Sequence, residues 1–193
     1  MKWIWIAAFS CSLALAQQPT QPSPRDIRFT ADQRLEFPES YREWIYLSSG
    51  RGMSYGPSAD PNGPPVFDNV FVNPAAYRSF VKTGRWPDQS IFILEIRKAI
   101  SEGSINKGGQ FQGDIVGVEV LVKDTRRFAD TQGWGFYEFT ANRNPAPKLP
   151  KSESCYACHA TNAAVEHTFV QFYPTLAPIA AAHKTLKPAQ NTR

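Results

Sequence analysis

The sequence predicts an α+β fold, an antiparallel β-sheet with a few short helices packed around it, and three observations predict it. Residues 114–123 alternate, with Val116, Val118, Val120 and Val122 on one side and Ile115, Gly117, Glu119 and Leu121 on the other, the period-two pattern of a strand inside a sheet. Residues 90–98 do the same, Phe92, Leu94, Ile96 and Lys98 opposing Ile91, Ile93, Glu95 and Arg97. Residues 133–139, Gly-Trp-Gly-Phe-Tyr-Glu-Phe, return as an aromatic strand, and the expected product is an antiparallel sheet with helices packed at its face and end.

The remaining elements follow in order. Pro38 to Ile45 reads as a short helix, with proline and acid at its start and Tyr41, Trp44 and Ile45 facing the core. Ser48 to Pro65 is a long Ser, Gly, Pro, Asn and Asp run containing Met53, read as a polar loop. Val66 to Val72 is a strand. Asn73 caps a helix that has Pro74 at its first position, Tyr77, Phe80 and Val81 on one face, and Gly84 at its end. Gly103 to Gly109 is a turn, Asp114 to Lys123 should be central in the sheet, and Asp124 to Ala129 makes one helical turn. Gly133 to Phe139 is an aromatic strand, Asn142 to Pro150 a linker, and Ser152 a cap for the next helix. Ala163 to Tyr173 is partly helical by pattern.

That next helix carries Cys155-Tyr156-Ala157-Cys158-His159. Two cysteines three apart, followed at once by histidine, form the attachment pattern of a covalent c-type haem: each thiol adds to a vinyl group and the imidazole ligates the iron. On a helix, positions three apart share a face, so both sulfurs reach one porphyrin edge. A zinc site would need a fourth ligand, for which only His167 is near in sequence. A redox dithiol has no use for a histidine there, and a disulfide across two residues is strained.

The chain has 193 residues, 13% of them aromatic, and a formal charge of +4 without a basic block, which gives nucleic-acid binding little support. Residues 1–16 combine one cation, Lys2, with an apolar run and end in Ala14-Leu15-Ala16, a secretory signal cleaved after Ala16. The apolar run is shorter than the about 20 residues that span a bilayer, so no membrane span is expected and the protein should be periplasmic or otherwise exported. Cleavage removes Cys11, leaving Cys155 and Cys158, the two thiols one haem consumes. Lipid attachment at Cys11 is the alternative. Residues 17–26 read as a disordered leader, 27–183 as the haem domain and 184–193 as a flexible tail.

Arg42-Glu43-Trp44, Val70-Phe71-Val72-Asn73-Pro74 with Tyr77, Thr83-Gly84, Val122-Lys123-Asp124 with Arg127-Phe128, Gly133-Trp134-Gly135-Phe136-Tyr137, the haem motif and Thr168-Phe169-Val170-Gln171-Phe172-Tyr173-Pro174 resemble the cytochrome P-460 family, which includes the beta-type cytochromes c-prime. The resemblance runs in order from about Pro38 to Leu176. It implies a sheet-rich haem protein, often a homodimer, with iron held by His159 and an open distal side. In hydroxylamine-oxidising members a lysine crosslinks the porphyrin; the matching position here is Leu94, which cannot form that bond. Lys98 faces the same side but about 13 Å further along the strand. The resemblance therefore implies the gas-binding side of the family, with Phe92, Leu94 and Ile96 facing the haem and Phe71 or Phe67 capping it.

A sixth iron ligand would have to come from Met53, His167 or His183. His167, if helical, lies about 12 Å along the same element and on the proximal side. A five-coordinate iron that binds nitric oxide or carbon monoxide is expected. An oxidase of hydroxylamine or nitric oxide would use a distal acid or base, for which Glu95, Glu119 and Glu138 are candidates. An electron carrier, docking to a redox partner protein, would use Met53 as ligand.

Overall fold

A computed structural model describes residues 27–53, 63–140 and 142–187. The signal segment, the leader, the middle of the 48–65 loop and the last six residues lie outside the described residues.

Five antiparallel strands, β1 (Ile45–Arg51), β2 (Val66–Val72), β3 (Ile91–Ile100), β4 (Phe111–Lys123) and β5 (Trp134–Phe139), pair in sequence order as a meander. The helices α1 (Pro74–Thr83), α2 (Ser154–Asn162) and α3 (Ala177–Ala182) complete the α+β architecture. The central strand is β3, and β4 is interior beside it. Between β2 and β3 the hairpin connection is made by α1, which starts with Pro74 at its first turn and stops at Gly84, whose left-handed φ of 66° permits the αL stop. Gly84 also lets the C-terminal segment approach: a Cβ there would lie 2.5 Å from that of His183.

Alternation along the strands builds a core on each face. On one face Leu35, Phe37, Tyr41 and Trp44 pack over Ile91, Ile93, Val118, Val120 and Val122. On the other, α1, α2, α3 and the 163–176 segment pack over Val72, Phe92, Leu121 and Phe136. The one-residue period separates the two sets.

Several local expectations give way. The Pro38–Ile45 segment is a 3-10 turn (Glu39–Glu43) that runs straight into β1. Tyr41 and Trp44 are buried on the first face, but Ile45 already belongs to the strand and packs on the other. Ser48 to Arg51 is the rest of that strand, not loop; at the sheet edge, polar residues satisfy their backbone through β2 alone. Asn73 does not cap α1: its Oδ1 accepts from the Ile91 amide at 3.0 Å and its Nδ2 donates to the Gln89 carbonyl, so it ties the helix start to β3 instead. Val81 is exposed while Phe80 is fully buried. The turn after β4 is a 3-10 helix at Ala129–Thr131. Glu153, not Ser152, precedes α2, with no side-chain cap. Residues 163–173 are a tight turn and one 3-10 turn (Val170–Phe172) rather than a helix. Of the stretch expected to be flexible from Lys184, the beginning is docked: the Thr185 amide donates to Ala180, the Lys187 amide to Ala164 at 2.7 Å, and Leu186 joins the helix-side core.

Candidate haem site

The sheet face under α2 is read most simply as three rows across the strands. Val72, Phe92, Leu121 and Phe136 stand in the first; Val70, Leu94, Glu119 and Glu138 in the second; Asp68, Ile96 and Gly117 in the third. Rows are about 7 Å apart, two residues of strand rise. The first row is buried core. Beyond it Asp68 is buried, but the rest of the face stays accessible, Val70, Leu94, Ile96 and Gly117 half-buried and Glu119 and Glu138 exposed.

Above this face α2 presents its motif. Cys155 and Cys158 are free thiols at half-buried positions, and Cys155 packs against the helix-side core. Burial, then the carboxylates of Glu119 and Glu153, hold the Cys155 thiol above its usual range. His159 is set from two directions. Its ring lies between Phe136, 5.0 Å away edge-on, and Phe169 at 4.5 Å. Its Nδ1 is 2.7 Å from the backbone carbonyl of His167; a carbonyl only accepts, so Nδ1 carries the proton and Nε2 is the nitrogen left with a lone pair. Burial lowers the imidazole's proton affinity and keeps it neutral, the state a metal ligand needs.

Two free thiols one helical turn apart, a neutral imidazole locked in the Nδ1–H tautomer, and an accessible, half-apolar sheet face beside them fit a covalently held porphyrin with His159 as axial ligand. They do not fit the zinc alternative: among the described residues no three His, Cys, Asp or Glu side chains converge to hold a metal ion.

The other candidates divide. Phe92, Leu94 and Ile96 share the α2 face, as the alternation requires. Phe71 does not join them. It is one residue out of phase with Val70 and Val72 and packs on the opposite face, edge-on to Tyr41 and Tyr46 at 5.7 Å each; Phe67 has the same phase. Glu95 is also on that far face, fully buried and bound by Tyr41, Arg97, Arg42 and Asn69. Glu119 and Glu138, paired across β4 and β5, are on the α2 face with Asp68. The α2 face therefore carries carboxylates beside its apolar side chains: although Glu119 as a residue is exposed, desolvation of its carboxyl, then Glu138 and Asp68, push that carboxyl above the usual carboxylate range.

The three candidate sixth ligands, His167, His183 and Met53, are each engaged elsewhere. His167 is 5% exposed, tilted against Tyr156 and Trp134, with its Nε2 unpartnered among the described residues. Burial, then Lys187 and His159, lower its proton affinity to a pKa of about 4. It serves His159 through its carbonyl. His183 closes α3 against Gly84 at the end of α1. Met53 folds back on the edge strand, its sulfur 2.3 Å from where a Cβ on Gly50 would stand.

Sequence reasoning did not find the roles of Phe136, Phe169 and the His167 carbonyl. The first two lie within motifs quoted above, but nothing local marks them as neighbours of His159; the third is a backbone atom and carries no side-chain signature.

Among curated proteins none matches the chain. The family model for Cytochrome P460 matches residues 38–170, from the 3-10 turn before β1 through the haem motif to the segment that holds His159. The chain belongs to the cytochrome P460 family, and is thereby a haem-binding cytochrome.

Proposed function

We propose that this protein is an exported cytochrome carrying one haem c through Cys155 and Cys158, with His159 as its axial ligand, and that it binds small diatomic ligands such as nitric oxide or carbon monoxide in the handling of nitrogen oxides. The observation that carries this reading is Leu94. It stands half-buried in the second row, between Val70 and Glu119 and on the α2 face, where the resemblance puts a crosslinking lysine in hydroxylamine-oxidising members. An alkyl side chain leaves the porphyrin unmodified and offers a gas an apolar surface. The haem iron, when bound, supplies the coordination position for the gas. The chain's own part is to hold His159 neutral and oriented and to keep Met53, His167 and His183 engaged elsewhere.

Glu119 favours a second reading, an oxidoreductase acting on hydroxylamine or nitric oxide. Its carboxyl, raised in proton affinity and paired with Leu94 across β3 and β4, is the group on this face that could accept or return a proton. Electron transfer to a partner protein is the third reading, with Met53 as the ligand it would need. Export with cleavage after Ala16, residues 27–183 as the haem domain, and assembly as a homodimer complete the proposal.

The test is the mass of the denatured, purified protein. One haem of added mass, still retained through the single thioether of Cys158 in Cys155→Ala and lost in the Cys155→Ala, Cys158→Ala double variant, is expected. Parent protein that releases all its haem on denaturation overturns the covalent assignment.

A further inference from the structure

The carbonyl that holds His159 belongs to a turn whose shape is unfavourable by itself. Val165 and Thr168 exchange both backbone hydrogen bonds, at 3.3 and 2.9 Å, leaving Glu166 and His167 as the two central residues. Glu166 has a φ of 52°, in the left-handed region that strains a residue bearing a side chain. The surroundings hold it there. Lys123, the last residue of β4, donates from Nζ to the Glu166 carboxylate at 2.5 Å and to the Trp86 carbonyl at 2.7 Å. The two ends of this ion pair are only 13% and 19% exposed. Trp86 in turn donates from its indole to the Thr168 hydroxyl at 2.8 Å, and Thr168 donates to the Val165 carbonyl at 2.8 Å. Lys187 donates to the Glu166 carbonyl at 3.2 Å. The sheet thus grips the turn on both sides of the one carbonyl that accepts from His159.

We infer that Lys123 and Glu166 are positioning residues for the axial histidine: their part-buried ion pair fixes the His167 carbonyl against His159 Nδ1 and thereby sets how strongly His159 donates to iron. This rests on the reading that His159 ligates a haem. The physical link is the dependence of a histidine ligand's basicity on the acceptor bonded to its other nitrogen. A firm acceptor gives the ring partial imidazolate character, which strengthens the histidine–iron bond and stabilises the oxidised metal. A loosened turn weakens both.

The experiment measures midpoint potential and the iron–histidine stretching frequency of the reduced protein in Glu166→Gln, Glu166→Gly and the reversed pair Lys123→Glu, Glu166→Lys. Glu166→Gln is expected to shift the oxidised–reduced equilibrium about tenfold toward the reduced form, about 59 mV upward for a one-electron couple, and to lower the stretching frequency. Glu166→Gly relieves the left-handed residue, so it folds at least as readily as the glutamine variant, yet it is expected to shift the potential in the same direction. The reversed pair restores part of the parental value. Glutamine and glycine variants that keep the parental potential and frequency overturn the inference. A haem stain on denaturing gels of the same preparations, if negative for the parent, fails the haem reading instead, so the two failures are told apart.

Discussion

Glu95 offers the sharpest separation of what supports the fold from what serves the site. Its carboxylate is fully buried beneath β3 and accepts from Tyr41 Oη at 2.6 Å, Arg97 Nε at 2.6 Å, Asn69 Nδ2 at 3.2 Å and Arg42 at 3.3 Å. Glu95→Gln keeps the shape but removes the charge, leaving the guanidinium of Arg97, itself 16% exposed, without its counter-ion. Hydrogen bonds to a charged group contribute about 1.5–3 kcal/mol, and breaking one side of a buried pair costs about 3–5 kcal/mol. Arg42 is half exposed and adds little, so the expected loss is about 3 kcal/mol in urea unfolding. The acid dependence has a definite sign. Burial pushes the Glu95 carboxyl up, but the bonds from Arg97 and Tyr41 and the charge of Arg42 bring it below its ordinary value. A depressed folded value stabilises above the unfolded pKa of about 4.3 and is lost as pH falls through the folded value; the gap between parent and variant should close on acidification below that window. Carbon monoxide affinity should not change, because Glu95 lies on the sheet face away from α2. A loss under about 0.5 kcal/mol, or an altered affinity, would refute the assignment.

Glu119→Gln tests the carboxylate on the α2 face: with the haem where we propose it, deprotonation of Glu119 as pH rises through its raised value adds a nearby negative charge and stabilises the oxidised form, so the parental midpoint potential should fall with pH there and the variant's should not. An unchanged slope in potentiometric titration removes Glu119 from the site. Gly84→Ala should cost about 2 kcal/mol in thermal unfolding, from a φ of 66° and a Cβ 2.5 Å from that of His183; a neutral result would mean that the α1 end and α3 are not packed as described.

The strands β2 to β5 were legible because burial on one face writes a period of two into the side chains, and the haem motif because its chemistry is local. Edge strand β1 was hidden by its polarity: Ser48, Ser49 and Gly50 satisfy their backbone without burying side chains, so no hydrophobic pattern marks them. Asn73 looked like a cap because its sequence neighbours fit one, yet a tertiary partner, the Ile91 amide, competes for its oxygen. Phe71 was misplaced by treating an aromatic residue near the site as pointing at it, although its phase with Val70 and Val72 already set it on the other face. The 163–173 segment reads as helix by spacing because its apolar residues answer to a turn and the helix-side core. That mistake mattered, since it placed His167 a helix length away from the ring its carbonyl holds.

The central claim is an open haem c on His159 with Leu94 unable to crosslink it. The absorption spectrum of the purified reduced protein, before and after carbon monoxide, tests it most directly. An ordinary high-spin c-type spectrum that shifts on adding the gas is the expected result. A strongly red-shifted Soret band would reveal a lysine crosslink, and a spectrum indifferent to carbon monoxide would reveal a filled sixth position; either contradicts the account.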